Sequence, residues 1–217
     1  MSLKLPTYWL IILLLLVSCR KNKNTIIVEG VLLNPVTNTS VGGISVDLSS
    51  QQPVSGTFSI AYNTLDKQTT DATGKFRFEF KNSNASSYRL RAEHPDYYFT
   101  EETKSPSAFP VGEVTNLILP FYAKGVLKIN VRNVNPFDGD DKLVYQIATG
   151  AVNKLDFCFA TTQTFTGMSV DTSLSCLNYG YQKVVLKWFR TKNNVITSFV
   201  DSLVIPLNDT AIYSILY

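Results

Sequence analysis

The 217-residue sequence predicts an all-β fold: two tandem β-sandwich domains behind a cleaved N-terminal segment. Three observations carry this expectation. Apolar and polar residues alternate with a period of two through most of the chain, which is the signature of half-buried strands. Short runs rich in Gly, Asn and Asp separate the alternating segments. No long stretch has helical spacing, and many short strands joined by turns indicate a sandwich or barrel.

The alternating segments can be taken in order. Ile44-Ser45-Val46-Asp47-Leu48 puts its apolar side chains on one face. Phe76-Arg77-Phe78-Glu79-Phe80 sets three phenylalanines against two charges, and Tyr88-Arg89-Leu90-Arg91-Ala92 repeats the pattern. Leu127-Lys128-Ile129-Asn130-Val131-Arg132 does so again, followed by Val184, Leu186 and Trp188, then Leu203 and Ile205, then the terminal run 212–217 with Tyr213 and Tyr217 on one face. Turns are expected at Val41-Gly42-Gly43, Asp71-Ala72-Thr73-Gly74, Asp138-Gly139-Asp140, Lys192-Asn193-Asn194 and Leu207-Asn208-Asp209. Residues 49–68 are expected to hold an extra loop and strand, with Phe58, Ile60, Tyr62 and Leu65 alternating imperfectly. Residues 100–112, with two prolines, two glutamates and no alternation, read as a long loop. A closing strand over 116–121 and a fresh one from Val126 put the boundary near 122–125. The expected domains are therefore 26–122 and 123–217.

The first 18 residues differ from the rest. Lys4 precedes an apolar run over residues 9–17, nine residues long. A membrane-spanning helix needs about 20, whereas a short cationic segment and a short apolar run read as an export signal. The run ends in Leu16-Val17-Ser18-Cys19, which resembles the bacterial lipobox. The resemblance implies cleavage before Cys19 and lipidation of that cysteine, with more than one acyl chain, as stable anchoring requires. Residues 19–25 would be the tether. No Asp follows Cys19, and by analogy with Gram-negative sorting this favours the outer membrane. The membrane face, periplasmic or extracellular, stays open. The basic residues Arg20, Lys21 and Lys23 suit anionic headgroups.

The 217 residues less these 18 leave 199, and loss of Lys4 takes the formal charge from +3 to +2. Hydrophobic residues make up 45% of the chain and charged ones 17%, enough apolar material for a packed core. The cations do not cluster beyond the tether, so no nucleic-acid partner is expected. Besides Cys19, Cys158 and Cys176 form an even pair in an exported chain, and a disulfide is the natural reading. Two buried free thiols are the alternative.

Residues 26–121 resemble the carboxypeptidase regulatory-like, or transthyretin-like, β-sandwich family. The residues that carry the resemblance are Val28-Glu29-Gly30-Val31-Leu32, Gly42-Gly43-Ile44-Ser45-Val46-Asp47-Leu48, the segment Thr69-Thr70-Asp71-Ala72-Thr73-Gly74-Lys75-Phe76-Arg77-Phe78, and His94-Pro95-Asp96-Tyr97-Tyr98. In the third of these Asp71 caps the turn, Gly74 takes a conformation closed to other residues, and Phe76 returns to the core. Such domains are frequent in outer-membrane lipoproteins of Bacteroidetes-like bacteria, and the resemblance implies such an origin. It covers under half the chain and implies fold rather than activity. Residues 123–217 match no family by motif, and the expected second sandwich is, like the first, of transthyretin-like or immunoglobulin-like type.

Chemistry is sparse. The single histidine, His94, excludes most His-based triads and multi-His zinc sites, so no catalytic residue, metal site or cofactor is expected. Asp138-Gly139-Asp140-Asp141 has oxygen ligands but lacks calcium-loop spacing and reads as a solvated turn. Glu101, Glu102 and Lys104 read as a solvated charge cluster. Tyr97, Tyr98, Phe99 and Phe109 crowd one segment and are the candidate ligand-binding residues, since exposed aromatics stack on sugars or anchor proteins. The competing reading tucks them under the loop. Asp201-Ser202-Leu203 and Asp209-Thr210-Ala211 resemble a Bacteroidetes O-glycosylation pattern, which would place glycan on Ser202 or Thr210.

The expected function is that of a non-enzymatic outer-membrane lipoprotein, a binding or structural module held to the membrane by lipid on Cys19, with a protein or envelope-polymer partner. The alternatives are a surface glycan-binding accessory of polysaccharide uptake, which needs exposed aromatics, and a pilus or fimbrial-type subunit, which needs an exchangeable edge strand such as 212–217.

Overall fold

The computed structural model describes residues 24–217 apart from 55, 56, 153, 155 and 159. The export signal, Cys19 and the basic part of the tether lie outside the described residues. Seven strands and one two-residue strand make the first sandwich: β1 (Thr25–Asn34), β2 (Thr39–Ser40), β3 (Ser45–Val54), β4 (Thr57–Thr69), β5 (Lys75–Lys81), β6 (Ser87–Ala92), β7 (Thr100–Lys104) and β8 (Val114–Pro120). Seven make the second: β9 (Lys124–Arg132), β10 (Lys142–Thr149), β11 (Thr162–Thr166), β12 (Asp171–Tyr179), β13 (Lys183–Lys192), β14 (Val195–Val204) and β15 (Thr210–Leu216). Among the described residues no helix is long and apolar enough to cross a membrane.

The two sandwiches share one topology. In the first, one sheet sets β1 between β5 and β8, with β2 alongside the end of β1, and the other runs β4-β3-β6-β7. In the second, one sheet runs β12-β9-β15 and the other β11-β10-β13-β14. Leaving β2 aside, the first strand of each domain lies between the fourth and the seventh, and the seventh is parallel to the first. The second strand lies between the third and the fifth, with the sixth outside the fifth. The chain thus uses one sandwich plan twice.

The sequence period explains the two cores. On β1, β3, β5 and β6 the inward residues Ile26, Val28, Leu32, Val46, Leu48, Phe76, Phe78, Tyr88 and Leu90 are buried, while the intervening charges face water. Leu127, Ile129, Val131, Leu143, Tyr145, Ile147, Val184, Leu186, Ile215 and Tyr217 form the second core. Burial pushes the Tyr145 phenol up to about 12. Turn chemistry works as the sequence predicts. Gly43 and Gly74 take positive φ, and Asn193 and Asn194 take φ of 48° and 59°, joining β13 to β14 by a two-residue turn with both residues left-handed.

Two expectations are corrected. Residues 100–112 are not wholly loop, because TEETK forms β7 on the open side of β6. It is an edge strand solvated on both faces, so it carries no hydrophobic alternation. Residues 49–54 and 57–68 are not a loop and a separate strand. They complete a long β3–β4 hairpin whose register shifts between Leu48 and Ser49 and again between Gln51 and Pro53. Those bulges break the period that the sequence reading relied on.

Candidate functional site

The four candidate aromatics do not form one exposed face. Phe109 is 2% exposed and packs in the first core with its ring 5.5 Å from Tyr88. Tyr97 lies flat on Phe121 at 4.6 Å and backs that core. Phe99 is 49% exposed, and the Arg91 guanidinium sits 4.6 Å from its ring centre. Tyr98 turns the other way, into the second domain. Tyr97, Tyr98 and Phe99 are consecutive, yet the loop between β6 and β7 sends each ring to a different neighbour. Phe109 is thus buried, Tyr97 and Tyr98 are half-buried and Phe99 is exposed, so the four make no common platform.

Tyr98 leads to the junction between the two sandwiches. Its ring lies 5.1 Å from Phe157 and 5.8 Å from Tyr179, and its hydroxyl donates to the Asn178 carbonyl at 3.1 Å. Tyr122, in the connecting segment, stacks on Tyr179 at 4.1 Å. The Lys154 ammonium lies 5.7–6.0 Å from the rings of Tyr122, Phe157 and Tyr179, a distance at which a cation is attracted to a ring face. Burial raises the Tyr98 phenol above its usual range, and the neighbouring Tyr179 phenol adds to this.

Backbone bonds lock the same junction. The Lys124 N–H donates to the Asp96 carbonyl and the Tyr98 N–H to the Tyr122 carbonyl, both at 2.8 Å, and Tyr97 bridges Ala123. Asn208, held at φ 49° in the turn before β15, donates from Nδ2 to Asp96 Oδ1 at 2.7 Å, 112 residues away in sequence. His94 accepts from the Asp96 N–H and lies against Tyr97, so it organises this same turn. The sequence reading missed Tyr122, Phe157, Tyr179 and Asn208 as partners. Asn208 was legible only as a turn residue, and nothing in its spacing points to Asp96.

The acidic segment 138–141 is a solvated turn only in part, since Gly139 and Asp140 are exposed but Asp141 is buried. Asp138 caps the Asp140 N–H at 2.9 Å. Asp141 is fully buried and accepts from Asn133 Nδ2 at 2.9 Å and from the Phe137 N–H at 2.8 Å, with Lys192 Nζ at 3.7 Å. Lys192 donates to Asn133 Oδ1 at 2.8 Å and to the Asn135 carbonyl. Burial alone would raise the Asp141 carboxyl, but the hydrogen bonds from Asn133, Phe137 and Asp138 and the Lys192 charge bring it below the usual carboxylate range. The cluster ties the loop after β9 to the end of β13.

Cys158 and Cys176 form a disulfide, with Cα atoms 5.0 Å apart. It fastens the segment before β11 to β12, beside the junction residue Phe157. Glu101, Glu102 and Lys104 pair along β6 and β7, with Arg89 and Glu101 at 3.6 Å and Lys104 and Glu102 at 2.6 Å. Ser202 and Thr210 are exposed. A depression of about 710 Å³ opens beside Gly30, where the Phe76 ring fills the space a side chain would occupy and the Glu29–Arg77 ion pair forms one rim. Among the described residues no three or more His, Cys, Asp or Glu side chains cluster as metal ligands do.

No protein-family model matches the chain, and no curated protein is similar to it in sequence. Among solved structures it resembles the Bacillus anthracis TIE protein, with 15% identity and a TM-score of 0.40 over 89% of this chain and 34% of that one. It also resembles a streptococcal ancillary pilin, with 14% identity and a TM-score of 0.33 over 89% and 63%. GBS52, the minor pilin of Streptococcus agalactiae, gives 14% identity and a TM-score of 0.35 over 88% and 94%. The chain spans about a third of the TIE protein and less than two thirds of the ancillary pilin.

Proposed function

We propose that this chain is a non-enzymatic, lipid-anchored protein of the bacterial outer membrane whose two sandwiches act as one stiff arm, a structural or binding module for a protein or polymer of the cell envelope. The observation that carries this reading is the junction. Short polar linkers leave tandem domains free to move, and relative motion is the default unless the interface is large and apolar. Here the connecting segment is itself hydrogen-bonded, and Tyr98, Tyr122, Phe157 and Tyr179 pack across it. A stiff arm suits a protein that must hold something at a fixed distance from a membrane. The lipobox-like Leu16-Val17-Ser18-Cys19 and the resemblance of residues 26–121 to the carboxypeptidase regulatory-like family support the anchored, envelope setting. The buried polar groups fit a structural role as well. Asp141, Asn133 and Thr70 each bond to nearby groups of their own domain.

The test is made in cells. In a membrane fractionation the wild-type protein stays with the outer membrane, and Cys19→Ala moves to the soluble fraction. Protease shaving of intact cells then reads the membrane face. Turnover of an envelope substrate that a point mutation abolishes would overturn the non-enzymatic reading, and an unchanged distribution of Cys19→Ala would overturn the anchor.

A further inference from the structure

Strands β7 and β14 hold the same place in the two sandwiches, the outer edge of the four-stranded sheet, yet they are built in opposite ways. β7 is five residues long, and its acids are engaged with Arg89 and Lys104. Short, charged edges resist further pairing. β14 is ten residues long and pairs with β13 along its whole length without a bulge. It contains no proline and a single charge, Asp201. Its outward side chains Ile196, Val200 and Val204 are 69%, 66% and 58% exposed. A long, regular edge with an apolar outer face is a template for strand addition; on it the Ser202 N–H donates to the Asp201 carboxylate at 2.7 Å, a bond that pairing exchanges for one to the second copy.

We infer that β14 pairs antiparallel with β14 of a second copy of this chain, about a two-fold axis at Val200. The outward series Ile196, Ser198, Val200, Ser202, Val204 reads apolar, Ser, apolar, Ser, apolar in either direction. Antiparallel pairing centred on Val200 sets Ile196 opposite Val204 of the second copy, Ser198 opposite Ser202, and Val200 opposite itself. Each apolar group meets an apolar group, and each hydroxyl a hydroxyl, the pairings that stabilise cross-strand neighbours. On the inward side Phe199 meets Asp201 of the second copy, so the two Asp201 charges do not face each other. The Arg190 guanidinium already lies 5.5 Å from the Phe199 ring centre, which puts a cation beside the incoming carboxylate. Lys187, opposite Val200 on β13, is three strand spacings from its counterpart, about 14 Å, so the lysines do not oppose pairing. Phe189, opposite Ser198 and exposed, widens the apolar stripe. The interface is isologous, and the two four-stranded sheets become one of eight. The inference stands on β14 alone and does not depend on the anchor.

Disulfide cross-linking of the full chain tests the register. Val200→Cys is expected to give a covalent dimer on mild oxidation. Ile196→Cys alone gives at least tenfold less, and Ile196→Cys with Val204→Cys restores it. Val200→Lys, which changes an exposed side chain and leaves the thermal midpoint within a few degrees of wild type, is expected to abolish the dimer seen by lysine-independent photo-cross-linking. Absence of a covalent Val200→Cys dimer, equal cross-linking by Ile196→Cys alone, or a Val200→Cys adduct with a different protein in place of a second copy would each overturn the inference.

Discussion

The Asp71 carboxylate accepts from the Thr73 N–H at 2.8 Å, from the Thr73 hydroxyl at 2.8 Å and from the Lys75 N–H at 3.0 Å, closing the turn that Gly74 completes at φ 74°. The backbone bond from Lys75 and the side-chain bond from Thr73 depress its pKa. A depressed carboxyl contributes stability that is present above its ordinary pKa and lost as the pH falls through the folded value. The thermal midpoint of the first domain is therefore expected to exceed that of Asp71→Asn at neutral pH, with the gap closing in acid. A gap that stays constant with pH would contradict the assigned cause. Gly30 makes a second, purely steric prediction. A Cβ there would lie 2.2 Å from Phe76 Cζ, so Gly30→Ala forces the ring out of the core at a cost of about 2 kcal/mol, read from denaturant unfolding. Both residues belong to segments whose pattern was legible in the sequence, because capping and glycine requirements are local.

Elements were legible to the extent that one of their faces is apolar and the other is not. Phe76, Phe78 and Phe80 announced β5, and Leu127, Ile129 and Val131 announced β9, because a core on one side and water on the other write themselves into a period of two. β7 was missed because Thr100, Glu101, Glu102, Thr103 and Lys104 are polar on both faces, and β12 because its core face ends in the buried polar Asn178 while its solvent face carries the exposed Leu177, which breaks the alternation of Ser173, Leu174, Ser175 and Cys176. β14 was glimpsed only through Leu203, since its exposed face is as apolar as its covered one. The cysteine pair was legible from export and even count. It closes a loop of 18 residues, and breaking it with Cys158→Ala plus Cys176→Ala is expected to cost the second domain about 3 kcal/mol. A matched unfolding curve of wild type under reducing conditions checks that the bond, rather than the substitutions, carries the effect. The junction was not legible, because Asp96 and Asn208 meet only after both domains have folded.

As a whole molecule, the chain is one topology used twice and joined by a surface that leaves the linker no slack. That surface carries the proposed role as a stiff arm, and it suits an anchored chain in which an exposed strand such as β14 would be presented at a set height above the membrane. The proposed stiffness rests on a few named side chains. Tyr98→Ala and Tyr179→Ala remove the ring contacts while leaving both cores intact. The most direct measurement is a dipolar spin-label distance between Ile118→Cys on β8 and Ser173→Cys on β12. One narrow distance distribution is expected for the otherwise wild-type chain, and a broad one when Tyr98→Ala and Tyr179→Ala are added. A broad distribution before those changes would contradict the claim that the two sandwiches move as one body.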